Sequence, residues 1–119
     1  MITYKIIGQR NPVFEFFDDQ NPSVILFRIQ VIGDCHLGRK FINGVPKNRL
    51  NHRENMVFSK FENILNQKDH INLYAIVGDL FDKTVITNEC LNRTIDVIKN
   101  SALRNKDSNY FIINGNHDE

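Results

Sequence analysis

Three apolar runs in this sequence of 119 residues each end in a glycine followed by side chains that can bind a metal ion. The runs are residues 24–32 before Gly-Asp-Cys-His, 73–77 before Gly-Asp-Leu-Phe-Asp and 110–113 before Asn-Gly-Asn-His-Asp. Apolar segments of this length between turn residues are typical of buried strands. The shared ending predicts that the carboxyl ends of the three strands lie together.

Two amphipathic segments separate these strands. We predict a first helix that begins near His52, where Asn51 and Glu54 resemble a capping box, and a second helix over residues 88–104. Alternating strands and helices with connections of this length predict parallel strands and right-handed crossovers, and therefore an α/β core. The predicted buried stripes are Val57, Phe58, Phe61, Ile64 and Leu65 on the first helix, and Leu91, Ile95, Ile98 and Ala102, with Cys90 nearby, on the second.

Composition and charge describe one modest globular domain. Apolar residues make up 41% of the chain, charged residues 24%, and the net charge of +1 gives no overall argument for a polyanionic partner. The two cysteines, Cys35 and Cys90, lie far apart, which favours a reducing cytosol over a disulfide framework. Neither a membrane span nor a signal peptide is predicted, so the expected location is cytoplasmic.

Residues 1–22 form a predicted N-terminal extension to the main domain, residues 23–119. Segments 2–7 and 13–17 resemble two short strands, which the stretch from Gly8 to Pro12 interrupts. We predict an edge hairpin or an extension packed on the main domain. Nothing in these residues indicates a binding role.

The first strand ends at Asp34 and His36, which are two residues apart. In an extended chain they would point the same way, and Cys35 would point the opposite way. Ligands of parallel sheets bind beyond the carboxyl ends of the strands. We therefore expect one crevice to contain Asp34, His36, Asp79, Asp82, Asn116, His117 and Asp118.

The predicted crevice offers carboxylate, imidazole and carboxamide ligands, which favour a hydrolytic ion such as Mn(II), Fe or Zn over a structural zinc site. Two ions about 3.5–4 Å apart can activate a bound water and hold both the attacking and the leaving oxygen of a phosphoryl group. Asp79, on the middle segment, is the expected bridge. His117, beside Asn116, can donate to the phosphoryl oxygens or protonate the leaving oxygen, and Asp118 can orient it.

The stretch from residue 39 to residue 53 has five basic side chains and no acidic one. One interpretation is a solvated loop. The other is a loop that contacts the phosphates of a nucleic acid beside the metal ions, because basic side chains supply most sequence-independent affinity. The five candidates are Arg39, Lys40, Lys47, Arg49 and Arg53.

Over residues 24–119 the chain resembles the calcineurin-like metallophosphoesterase superfamily. The motifs that agree in order, spacing and strand context are Gly33-Asp34-x-His36, Gly78-Asp79-x-x-Asp82 and Gly115-Asn116-His117-Asp118. The sequences around His36 and Asp79 are similar to the DNA-repair exonuclease branch, whose nuclease subunit works with an SMC-like ATPase and has phage versions. The protein phosphatase branch continues the second motif with Asp-Arg-Gly, whereas Lys83 follows Asp82 here.

The resemblance implies a role for each motif residue and two divalent ions, with Mn²⁺ expected. The implied roles are Asp34 and His36 on one ion, Asp79 as the bridge, Asn116 on the other ion, His117 as the catalytic histidine, Asp118 as its partner, and Asp82 as a support for the loop or a ligand. The family draws further histidine ligands from two later motifs that this chain does not contain. We therefore expect the N-terminal portion of a two-sheet sandwich, truncated after the third motif, with one sheet face uncovered.

The predicted function is a dimetal phosphodiester hydrolase, and most specifically a DNA exonuclease subunit of recombination and repair. Alone, this portion is expected to be weakly active or inactive. The expected partners are DNA, an SMC-like ATPase and, in the full-length protein, a second copy; a phage-encoded protein would work in the host cytoplasm. Two alternatives stay open: a metallophosphoesterase acting on nucleotides or phosphoproteins, and a non-catalytic DNA-binding or assembly fragment.

Overall fold

The computed structural model of the chain describes residues 1–37, 52–78, 80–81 and 87–113, without the side chains of residues 52 and 53. The described strands form one five-stranded sheet in chain order: β1 (Ile2–Ile7), β2 (Val13–Asp18), β3 (Asn21–Gly33), β4 (Leu73–Val77) and β5 (Asn109–Ile112). Helix α1 (His52–Leu65) connects β3 to β4, and helix α2 (Asn88–Arg104) connects β4 to β5.

Strands β3, β4 and β5 are parallel, whereas β1, β2 and β3 pair antiparallel. This arrangement confirms the predicted α/β core with an N-terminal β extension. The division of the chain into residues 1–22 and 23–119 stays a prediction. Neither helix in the described part of the chain is long and apolar enough to cross a lipid bilayer.

Strand β3 is longer than predicted and is buried only toward its carboxyl end. Its pairing with β4 begins at Ile29, so the preceding residues have a neighbour on the β2 side alone. Val24 and Leu26 are consequently 48% and 50% exposed. The prediction of a fully buried strand was therefore wrong for the first half of β3, because the parallel neighbour does not extend that far.

Both helices pack against one face of the sheet. The tyrosine rings of β4 and β5, Tyr74 and Tyr110, stack on this face with centroids 5.1 Å apart. The prediction of the buried face of α1 is confirmed: Phe58, Phe61 and Leu65 are buried. Val57 and Ile64 are partly buried at the edge of this face. The core consists of Ile32, Leu37, Phe58, Phe61, Leu65, Ile71, Tyr74, Ile76, Leu80 and Val97.

The buried face of α2 differs from the predicted apolar stripe. Leu91 and Ile95 are 39% and 49% exposed, whereas Thr94 and Ser101 are buried. The Thr94 hydroxyl donates to the carbonyl one turn earlier at 2.8 Å, and the Ser101 hydroxyl donates to the carbonyl of Leu65 at 2.8 Å. Because both hydroxyls have acceptors, their burial costs little. The stripe prediction was wrong for Leu91 and Ile95 because it weighed only apolar side chains, whereas Ile98 and Cys90 pack against the core as predicted.

The opposite face of the sheet is apolar across all five strands, and neither helix covers it. Strand register puts directly paired residues on the same face, and Tyr4, Phe16 and Phe27 make ring contacts there at 5.7 and 6.4 Å. In the described residues, one sheet face is therefore bare, as expected for a partial sandwich. Its side chains are Tyr4, Ile6, Phe14, Phe16, Phe27, Ile29, Val31, Leu73, Ala75, Val77 and Phe111.

Glu15 anchors an ion-pair row on the helix side of β1, β2 and β3. Its carboxylate accepts from Nε of Arg28 at 2.8 Å and lies 3.5 Å from Nζ of Lys5. The hydrogen bond from Arg28 lowers the pKa of Glu15, and Lys5 adds to that effect. The row ties the N-terminal hairpin to β3.

Because of this ion-pair row, we expect the free energy of unfolding to decrease at acidic pH. A carboxyl whose pKa is lower in the folded chain stabilises the fold above its unfolded pKa of about 4.3, and this contribution disappears as the pH falls through the folded pKa. Urea unfolding of Glu15→Gln should therefore show a smaller loss of stability between pH 7 and pH 3 than the unsubstituted chain. The control is Glu62→Gln, at an exposed position of α1. An equal acid-induced loss in Glu15→Gln and in the unsubstituted chain would contradict the expectation.

Candidate metal centre

The loops that follow β3 and β4 run side by side beyond the carboxyl ends of these strands. The N–H of Asp34 donates to the carbonyl of Val77 at 3.1 Å, and the N–H of Leu37 donates to the carbonyl of Leu80 at 2.8 Å. The parallel pairing thus continues past the sheet. It brings the Asp34–Leu37 segment, which includes His36, alongside the second glycine-led motif.

The backbone of the first motif is not extended, contrary to prediction. Asp34 and His36 have φ angles of 46° and 50°, in the left-handed region that side chains rarely adopt. The alternation rule that placed both side chains on one side therefore does not apply. Each such residue costs on the order of 1–2 kcal/mol, which the hydrogen bonds to the neighbouring loop offset.

Cys35 lies between these two residues and packs against the core. Burial raises the pKa of its thiol to about 11, and the negative charge of Asp34 adds to the increase. The thiol is therefore protonated at neutral pH. Because Cys35 packs against the core, we assign it a structural role, and Asp34 and His36 remain the candidate ligands of this loop.

The carboxylate of Asp34 packs against Gly78. The φ angle of Gly78 is +77°, and a Cβ built at this position would overlap Oδ1 of Asp34 while lying 3.1 Å from its Cγ. The carboxylate thus rests directly against the α-carbon of Gly78. A cradle of this kind fixes one hard oxygen donor two residues before His36 in the chain, and a carboxylate with an imidazole suits a divalent hydrolytic ion.

Asp34 and His36 are the predicted metal ligands that the structure describes. Among the described residues, no group of three or more His, Cys, Asp and Glu side chains could hold a metal ion. The remaining predicted members of the site, Asp79, Asp82, Asn116, His117 and Asp118, lie outside the described residues. So do the nucleic-acid candidates Arg39, Lys40, Lys47 and Arg49, together with the side chain of Arg53.

Asn11, in the turn between β1 and β2, supports the loop that follows β3, and sequence reasoning missed it. Its Oδ1 accepts from the N–H of Gly33 at 3.0 Å, and its carbonyl accepts from Nε2 of Gln30 at 2.6 Å. The Gln30 side chain is buried and also accepts from Nε2 of Gln67, just past the end of α1, at 2.9 Å. An asparagine before a proline indicates a turn. No local pattern reveals a partner 22 residues away.

The chain was compared with protein families, curated proteins and solved structures. The profile of the calcineurin-like phosphoesterase family matches residues 27–119, which include both helices, most of β3 and all three glycine-led motifs. The comparisons with curated proteins and with solved structures gave no match. The matched segment leaves out β1 and β2. The chain therefore belongs to the calcineurin-like phosphoesterase family, in which divalent metal ions support the hydrolysis of phosphoesters.

Proposed function

We propose that this protein hydrolyses phosphodiester bonds of DNA with the help of two divalent metal ions, Mn²⁺ first among them. The observation that carries the proposal is the contact between the Asp34 carboxylate and Gly78. It joins the first two phosphoesterase motifs, because Gly78 directly precedes Asp79 in the sequence. The third motif follows β5, which is parallel to β4 and therefore ends at the same edge of the sheet.

Each motif residue has a proposed task in the reaction. Divalent ions at this site would supply positive charge to the phosphoryl oxygens and lower the pKa of a water molecule. Asp34 and His36 would hold one ion, Asp79 would be shared, and Asn116 would hold the other. His117 would donate a proton to a phosphoryl or leaving oxygen, oriented by Asp118, and Asp82 would steady the loop.

The choice of DNA as the substrate rests on sequence. The motifs around His36 and Asp79 resemble the DNA-repair exonuclease branch, and the basic residues between 39 and 53 directly follow the first motif. That branch also supports an SMC-like ATPase as the partner, a second copy of the full-length protein, and a cytoplasmic location. Phosphates of a DNA strand would meet several positive charges beside the metal ions.

Metal binding gives the most direct test of the site. We expect Mn²⁺ to raise the unfolding temperature of the unsubstituted chain, because a ligand that binds only the folded state stabilises it. Asp34→Asn and Asp79→Asn should weaken Mn²⁺ binding by at least about tenfold, since each removes a charged oxygen donor. Isothermal titration calorimetry and thermal shift with Mn²⁺ measure both effects.

The control for these variants is Asp96→Asn, which removes an exposed carboxylate from α2. It should bind Mn²⁺ as the unsubstituted chain does. Hydrolysis of bis-p-nitrophenyl phosphate and release of nucleotides from linear DNA should both require Asp34 and Asp79. Equal Mn²⁺ affinity in all variants would overturn the proposed site, and turnover of the small diester without any DNA cleavage would overturn DNA as the substrate.

A further inference from the structure

A groove of about 570 Å³ lies between the β1–β2 turn and helix α1. The carboxyl end of β3 also lines the groove, together with Asp34, one of the predicted metal ligands. The whole turn that forms one wall precedes the segment matched by the family profile. Side chains that define the walls are Arg10, Asn11, Val57, Lys60, Phe61 and Ile64.

The groove has two basic side chains, one on each wall. Arg10 belongs to the turn and Lys60 to α1, and both are exposed. Within the described residues neither forms an ion pair, whereas Lys5 and Arg28 are both paired with Glu15. Asp34 is the one carboxylate among the described lining residues, and a bound metal ion would neutralise it. The groove is therefore electrostatically suited to an anion.

The wall that carries Arg10 is held rigidly against β3. Asn11 accepts a hydrogen bond from Gly33, and the carbonyl of Pro12 accepts one from the N–H of Val31 at 3.0 Å. These hydrogen bonds thus fix the backbone next to Arg10 relative to the loop that follows β3, which contains Asp34 and His36. A binding group on a preorganised element loses less conformational entropy when a ligand binds.

We propose that this groove binds the sugar–phosphate backbone of a single nucleic-acid strand, with Arg10 and Lys60 contacting phosphates on either side. The proposal rests on the proposed function, because it assigns the path by which a strand reaches Asp34. The volume lies within the range of about 300–1,000 Å³ that is typical of sites for small molecules. It suits one or two nucleotides of a single strand and is too small for a duplex.

The test is the binding of a fluorescein-labelled octathymidylate, measured by anisotropy in EDTA at several salt concentrations. Each phosphate contact to a single strand contributes about 0.7 to the slope of log affinity against log salt. Between 1 M and 50 mM salt, this slope corresponds to about an eightfold gain in affinity for each contact. Arg10→Gln and Lys60→Gln should each reduce the slope and the affinity by these amounts. The double variant should reduce the slope by about 1.4.

Two further variants make the result specific. Lys106→Gln removes an exposed charge from the turn before β5, at the opposite ends of the parallel strands, and should leave binding unchanged. Arg10→Lys keeps the charge and should bind within about twofold of the unsubstituted chain. Unchanged binding in Arg10→Gln and Lys60→Gln, an equal loss in Lys106→Gln, or no salt-dependent binding at all would overturn the groove proposal.

Failure of the metal site is distinguishable from failure of the groove. The oligonucleotide assay contains no free divalent metal, and Asp34→Asn should bind the octathymidylate at least as tightly, because it removes a negative charge from the groove. Loss of Mn²⁺ binding with intact, Arg10-dependent strand binding would therefore count against the metal centre alone. Normal Mn²⁺ binding with no effect of Arg10 or Lys60 would count against the groove alone.

Discussion

Replacing Gly78 with alanine is expected to destabilise the fold by about 2–5 kcal/mol and to abolish Mn²⁺ binding. The φ angle of +77° disfavours any side chain, and the added methyl group would also overlap the carboxylate of Asp34. The Asp34 side chain would have to move away from its position against Gly78. Urea unfolding followed by circular dichroism and calorimetric titration with Mn²⁺ would measure the two losses.

Two other glycines separate backbone strain from this overlap. Gly8 has a φ angle of +90°, but a Cβ there would come no closer than 3.7 Å to another atom, so Gly8→Ala should show the strain alone, about 1–2 kcal/mol. A Cβ at Gly33 would meet only the side chain of Val77 at 4.0 Å, so Gly33→Ala should cost little. Normal Mn²⁺ binding by Gly78→Ala would show that the Asp34–Gly78 contact does not position the ligand.

Replacing Leu65 with alanine is expected to be one of the most damaging changes in the core. Leu65 ends α1, is fully buried, and its carbonyl accepts from the hydroxyls of Ser101 at 2.8 Å and Tyr74 at 3.4 Å. The side chain therefore packs where α1, α2 and β4 meet. Truncation of a buried leucine costs about 2–5 kcal/mol. Chains of this length have about 6–18 kcal/mol of stability, so a large share of the total would be lost.

The matched control is Leu103→Ala on α2, where the leucine is 62% exposed. The chemical change is the same and both positions are helical, so the difference between the two variants isolates burial. Leu103→Ala should stay within about 0.5 kcal/mol of the unsubstituted chain. The measurement is the midpoint of urea unfolding at an unchanged m value. Equal midpoints for the two variants would contradict the assigned core.

Local patterns predicted the elements of the fold well. Strand β4 has the predicted bounds, α2 spans the predicted 88–104, and the buried face of α1 includes Phe58, Phe61 and Leu65 as expected. These features depend on hydrophobic periodicity and turn residues that lie within a few positions of one another. The side of α2 that is buried depends on Ser101, whose acceptor belongs to Leu65 on another helix, and periodicity could not reveal it.

At the candidate site, too, the sequence predicted some features correctly and missed others. Residue types and order along the chain sufficed to identify the family that the profile match confirms, whereas Asp34 and His36 as ligands stay a prediction. Their backbone conformation was predicted wrongly, because the extended chain that we assumed ends at Gly33. Beyond Gly33, backbone hydrogen bonds to the end of β4 and the loop after it accompany left-handed φ angles at Asp34 and His36.

The sequence by itself determined the α/β alternation and the phosphoesterase family, and it predicts Asp34 and His36 as a pair of metal ligands. Only the tertiary structure placed the Asp34 carboxylate on Gly78 and brought the Arg10 turn beside Lys60. The physical reason is distance along the chain. Side-chain periodicity reports neighbours within a turn or a strand, whereas these contacts join segments that are 44 and 50 residues apart and meet only when the sheet and α1 assemble.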